Sequence, residues 1–115
     1  MIGVQQEEVR VTREVWVPVK VRIWAQGKHY LAVIREKQDV ELLSRYVNKP
    51  VVLKINGIYI DGALYQTRHG KSFEIHMQLP KRLAPTWEAL RRKGIGHDAI
   101  VIIRLEDGNE EVVEP

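Results

Sequence analysis

Five aliphatic residues at every second position, Val15, Val17, Val19, Val21 and Ile23, alternate with Trp16, Pro18, Lys20, Arg22 and Trp24. A repeat of two is the repeat of a strand, and a helix cannot gather such a set on one side. The stretch predicts a first core strand, buried on one face. Pro18 has no N–H to give to a ladder, so it marks an edge, a bulge or a bend within that strand.

Gly27-Lys28 then turns the chain into His29 to Ile34, a second short apolar strand. Asp39 can accept bonds from free backbone N–H groups, and Val40, Leu43 and Val47 share one helical face, which predicts an Asp39-capped helix running to about Val47. Asn48-Lys49-Pro50 ends it, because proline disfavours helical geometry in the residue before it. Val51 to Ile55 reads as a third strand, and Asn56-Gly57 is the strongest hairpin signal in the chain. A further strand starts at Ile58, with Asp61-Gly62 expected as a bulge or a turn. After a loop at Arg68-His69-Gly70, Phe73, Ile75, Met77 and Leu79 alternate with polar residues as another half-buried strand. Pro80 closes it. Pro85 suits the first turn of a helix that presents Leu83, Trp87 and Leu90 to one side and stops at Gly94. Ala99 to Leu105 is a buried strand, followed by Asp107-Gly108.

The two halves can be superposed as sequence. Gly27-Lys28-His29-Tyr30 matches Gly70-Lys71-Ser72-Phe73, and Val51 to Ile55 with Gly57 matches Val101 to Leu105 with Gly108. Neither half has enough apolar surface to stand alone, so the two are expected to share one core around an approximate twofold. The expected organisation is an N-terminal extension over 1–14 that can add a strand, since Val9 and Val11 alternate, and a single domain over 15–108. That domain divides into repeats 15–57 and 58–108, and an acidic tail occupies 109–115.

Two strand-strand-helix-strand repeats interleaved in one core resemble the cradle-loop barrels, which include the double-psi barrels and the AbrB-like DNA-binding domains. The second half carries the resemblance: Leu79-Pro80-Lys81-Arg82-Leu83, a short helix, then Gly94-Ile95-Gly96-His97-Asp98-Ala99-Ile100-Val101. His97 separates the glycine and aspartate that adjoin in that family, and Asn48-Lys49-Pro50 replaces the box in the first half. The resemblance implies a mainly β, α+β fold with two short helices, closed into a small barrel of double-psi or cradle-loop type. It also implies that loops and strands of the barrel surface can contact DNA.

The composition limits the chemistry. The chain has no cysteine, so disulfides, a thiolate nucleophile and cysteine-based zinc sites are excluded. No apolar run reaches the roughly 18 residues a membrane-spanning helix needs, and the first residues lack the basic start of a secretion signal, so a cytoplasmic, soluble protein is expected. Valine and isoleucine supply 26 of 115 residues and asparagine only 3, a bias that points to a heat-adapted source. The net charge of +3 is uneven: the last ten residues hold five acids and no base, leaving 18 basic against 10 acidic residues before them. A basic body suits a polyanionic partner, and solubility alone also explains it.

Seven basic residues, Arg68, Lys71, Lys81, Arg82, Arg91, Arg92 and Lys93, fall in one stretch with only Glu74 and Glu88 between them. Such a density can neutralise phosphates and release counterions. Arg91, Arg92 and Lys93 also close a helix, where the dipole favours cations without any ligand. Trp16, Trp24, Tyr59 and Tyr65 can stack on bases if exposed, although helices packed outside a barrel are expected to bury them. The spacing of His29, His69, His76 and His97 matches no metal motif. His69 and His97 sit in predicted turns, where they add pH-dependent charge. Ile60-Asp61-Gly62-Ala63 resembles an aspartic-protease signature but lacks the hydroxyl residue that follows the aspartate and a second carboxylate. No nucleophilic set, phosphate-cradling loop or cofactor motif is present in the spacing. The expectation is a non-enzymatic, cofactor-free nucleic-acid binder acting as a DNA-binding regulator or accessory factor. The alternative is a protein-interaction module, including a homodimer.

Overall fold

The computed structural model describes residues 12–106; the Asp107-Gly108 turn, the acidic tail over 109–115 and the alternation at Val9 and Val11 lie outside the described residues. The fold is mainly β with two short helices. In chain order the elements are β1 (Thr12–Gln26), β2 (His29–Ile34), α1 (Lys37–Leu43), β3 (Pro50–Ile55), β4 (Ile58–Ala63), β5 (Tyr65–His69), β6 (Ser72–Leu79), α2 (Ala84–Arg92) and β7 (His97–Glu106). Single 3-10 turns at Ser44–Tyr46 and Lys81–Leu83 join α1 to β3 and β6 to α2.

The strands form one curled antiparallel sheet in the order β4-β3-β7-β1-β2-β6-β5. β1 serves two neighbours in turn: Thr12 to Val21 pair with β7, and Arg22 to Gln26 pair with β2. Pro18 lies opposite Ile100 where β1 pairs with β7 on one side only, an edge-like position of the kind that tolerates proline. The first and last strands of the order, β4 and β5, are separated in the chain by Leu64 alone, which bridges to Val47.

Both β1–β2 and β5–β6 turn on Gly-Lys, with Gln26 opposite His29 and His69 opposite Ser72. The two glycines take left-handed φ of 62° and 60°, a region that favours residues without a Cβ. The β5 ladder extends to His69, so the expected loop at Arg68-His69-Gly70 is a two-residue turn at Gly70-Lys71 instead.

Inward-facing aliphatics of both sheet halves form one core, and the helices add to it through Val40 and Leu43 on α1 and through Trp87 and Leu90 on α2. Trp87 is fully buried, and its indole N–H donates to the Pro80 carbonyl at 2.9 Å, which fixes the turn between β6 and α2.

Two local expectations fail for identifiable reasons. Asp39 does not cap α1, because the helix starts two residues earlier with Glu36 at the cap; Asp39 lies in the first turn, where burial and the neighbouring Glu36 raise its carboxyl pKa. Asp61-Gly62 is neither bulge nor turn, since Asp61 pairs with Val52 and Gly62 with Val51 in an unbroken ladder. An added Cβ at Gly62 would lie 2.8 Å from Cε at the flexible end of the Met77 side chain, so Met77 on β6 would have to shift to admit it.

Candidate nucleic-acid interface

Odd-numbered residues from Tyr59 to His69 point away from the core, while Ile60 and Leu64 point into it. This parity places Tyr59, Asp61 and Tyr65 along one wall of a cleft of about 530 Å³. The opposite wall is Gln78, Pro80, Lys81 and Arg82 at the end of β6 and the following turn, with His29 beside them. Tyr59 is 59% exposed and Tyr65 46% exposed. Lys54 holds its ammonium 5.4 Å from the Tyr59 ring centre, and the Tyr65 ring lies 5.9 Å from that of His76. Gln78 and His29 are linked across the strands at 3.3 Å, so an amide and an imidazole border the cleft as one polar unit. A smaller depression of about 260 Å³ shares His29, Tyr65 and Gln78 and continues to Gln26, Leu31 and His76.

The seven basic residues do not form one patch. Lys81 and Arg82 line the cleft. Lys71 occupies the β5–β6 turn, whereas Arg68 stands on the other face of β5 from Tyr65, with its guanidinium 5.8 Å from the Phe73 ring. Arg91 and Arg92 both bind Glu88, at 2.8 and 3.0 Å, and Lys93 caps the end of α2. These two arginines are therefore partly neutralised by α2 itself, as its helical spacing allows.

The aromatic residues depart from expectation in the opposite direction. Helices do not cover the outer faces of the strands, because α1 and α2 direct their apolar sides into the common core; Trp16 is 50% exposed, like the two tyrosines, and Trp24 is half-buried. The histidines each have their own partner: His76 faces Thr67 at 3.3 Å, His69 lies 3.3 Å from Glu74, and His97 meets the Leu90 carbonyl at 2.9 Å. Asp61 is exposed and has no second carboxylate among the cleft residues. No family model, curated protein or solved structure matches this chain.

His29 and Gln78 join the cleft, and nothing in the spacing of residues singles out Gln78 for function. The available signal was strand parity, since both are outward positions on neighbouring strands. Arg35 was missed as well. It adjoins the end of β2, and its guanidinium stacks 5.4 Å from the Trp24 ring.

Proposed function

We propose that this protein binds single-stranded nucleic acid along the cleft between β4 and the end of β6. The observation that carries the reading is the placement of two exposed tyrosines on one wall and two cations, Lys81 and Arg82, on the other. Aromatic rings accept bases of any sequence by stacking, while cations across the groove meet the backbone, the combination used by proteins that hold single strands. The curled sheet supports the cradle-loop resemblance, and we extend the proposal to a duplicated unit whose β4–β5 strand closes a small barrel. An accessory role on DNA or RNA follows from such a surface.

Titration of labelled single-stranded DNA, RNA and duplex DNA at two salt concentrations tests this reading. Single strands should bind more tightly than duplex. Tyr59→Ala and Tyr65→Ala should each weaken binding by about 1–3 kcal/mol with little change in salt dependence. Lys81→Ala with Arg82→Ala should flatten the log-log salt slope, by about 0.7 for each lost contact on a single strand. Equal affinity for all four proteins would remove the cleft as the site.

A second reading, a protein-docking or self-assembly module, is favoured by one different surface. Trp16, Ile102 and Val52 are side by side across β1, β7 and β3 on an outer face. A monomer at high concentration in sedimentation, with affinity unchanged by Trp16→Ala, would exclude self-assembly there.

A further inference from the structure

Asp61 is an acid in a cleft otherwise suited to phosphate. It stands exposed on the wall that carries Tyr59 and Tyr65, across from Lys81 and Arg82. Acids elsewhere are held by cations: Asp98 lies 2.7 Å from Lys20, and Glu88 takes both Arg91 and Arg92. Asp61 has no ion pair and no hydrogen bond among the described residues, although two cations line the same cleft. As a bare charge it would repel the phosphates that Lys81 and Arg82 attract, so its place on this wall suits a different part of a nucleic-acid ligand.

Side chains alternate along β4, so the outward positions between the two tyrosines are Asp61 and Ala63, one short carboxylate and one methyl. Small groups there leave room in the cleft of about 530 Å³ for a flat ring. Lys54 on the neighbouring β3 lies over the Tyr59 ring, 5.4 Å from its centre, which leaves the other ring face for a base. Asp61 follows Tyr59 by two residues, about 7 Å along a strand, so a base resting on that ring meets a carboxylate at its edge. Unstacked bases held on aromatic rings are read in this way, by hydrogen bonds to the pairing edge.

The geometry points to guanine as the base that this cleft selects, with Asp61 as the residue that reads it. An ionised carboxylate accepts through both oxygens and donates nothing. Guanine is the base with two adjacent donors on its pairing edge: N1–H donates to one Asp61 oxygen and the N2 amine to the other. Adenine and cytosine place a ring acceptor beside their amine, and thymine and uracil flank N3–H with carbonyls, so each sets a lone pair against the carboxylate. The preference rests on the nucleic-acid reading above and names the base within it.

The test uses the full chain and labelled thymidine oligomers of roughly 12 nucleotides in which every third base is guanine, hypoxanthine or adenine, at neutral pH and equal salt. Isolated guanines prevent four-stranded assembly of the probe. The guanine oligomer should bind about tenfold more tightly than the adenine one. Hypoxanthine keeps N1–H and lacks the amine, so it should fall between them; this comparison alters the ligand alone and needs no variant. Asp61→Asn keeps the side-chain shape and removes the charge. It should strengthen binding of the adenine oligomer, because the phosphates lose a repelling neighbour, while the guanine-to-adenine ratio falls towards one. Equal binding of the guanine oligomer and either of the others by the unaltered protein, or an unchanged ratio in Asp61→Asn, would overturn guanine selection and leave the cleft standing. Failure to bind any of the three would overturn both.

Discussion

Gly62 and Met77 share one space between β4 and β6. The place of Gly62 in a regular ladder gives no hint of strain, but an added Cβ would meet Met77 at 2.8 Å from Cε and 3.3 Å from Sδ, and Met77 is only 2% exposed. Gly62→Ala should therefore destabilise by about 1 kcal/mol, the low end of the range for overpacking, because Met77 can shift its flexible end. The effect should be smaller when Met77→Ala is already present, because the two changes share one space. Additive losses in denaturant titration would mean that the two positions do not compete for that space. His76 supplies a second test at this scale. Burial lowers its pKa below the ordinary 6.5, against the opposing pull of Glu74. The folded state thus prefers the neutral ring, and its contribution to stability is present above 6.5 and is lost as the pH falls through the lowered value. A ring that titrates at or above 6.5 by NMR would contradict this. Neither effect was legible in the sequence, since each depends on a neighbour brought close by a different strand.

Among the elements, those with strong periodicity were legible and their functional faces were not. β1, β3, β6, α2 and β7 follow from apolar spacing, and the Gly-Lys and Asn-Gly turns from the need for left-handed backbone. The start of α1 is hidden because Asp39 has the chemistry of a cap, while the observed cap residue, Glu36, makes no side-chain capping bond. The basic run was legible as charge, but only tertiary structure shows that α2 uses part of it internally. Glu88 accepts from Arg91 and Arg92 on its own helix and from the Tyr30 hydroxyl on β2, at 2.8 Å, so one carboxylate ties α2 to the sheet. The hydrogen bonds from Arg91, Tyr30 and Arg92 lower its pKa to about 2. A carboxylate depressed by folding stabilises the protein above its ordinary pKa of 4.5, and that contribution is lost as the pH falls from there to about 2. Glu88→Gln should lower the denaturation midpoint near neutral pH and have little effect at about pH 2. An equal loss at both pH values would assign the effect to packing instead.

At the scale of the molecule, the order of strand pairing determines what can fold independently. The repeat suggested by Gly-Lys and by the aliphatic strands was readable because it is a local pattern; how its halves interlock was not, because pairing between distant strands leaves no periodic trace. β3 pairs only with β4 and β7, both from the second half, and β7 pairs only with β1 and β3, both from the first. A break in the Asn56-Gly57 turn would thus leave each fragment with a terminal strand lacking every partner it has in the intact fold. Each fragment would also expose half of the common core, and a two-stranded hairpin alone is marginal in water. Fragments 1–56 and 57–115 should each be unfolded by circular dichroism, and mixing them in equal amounts should restore strand signal and the buried environment of Trp87. The intact chain should unfold in one transition, coincident by tryptophan fluorescence and circular dichroism. Its folding should be slow for its size, because the β1–β7 ladder joins the two ends of the described chain and its loop must close before it is stabilised. A cooperative melt in either isolated fragment would show that the halves carry separate cores, and a melt in fragment 57–115 would leave every cleft residue but His29 on one independent unit.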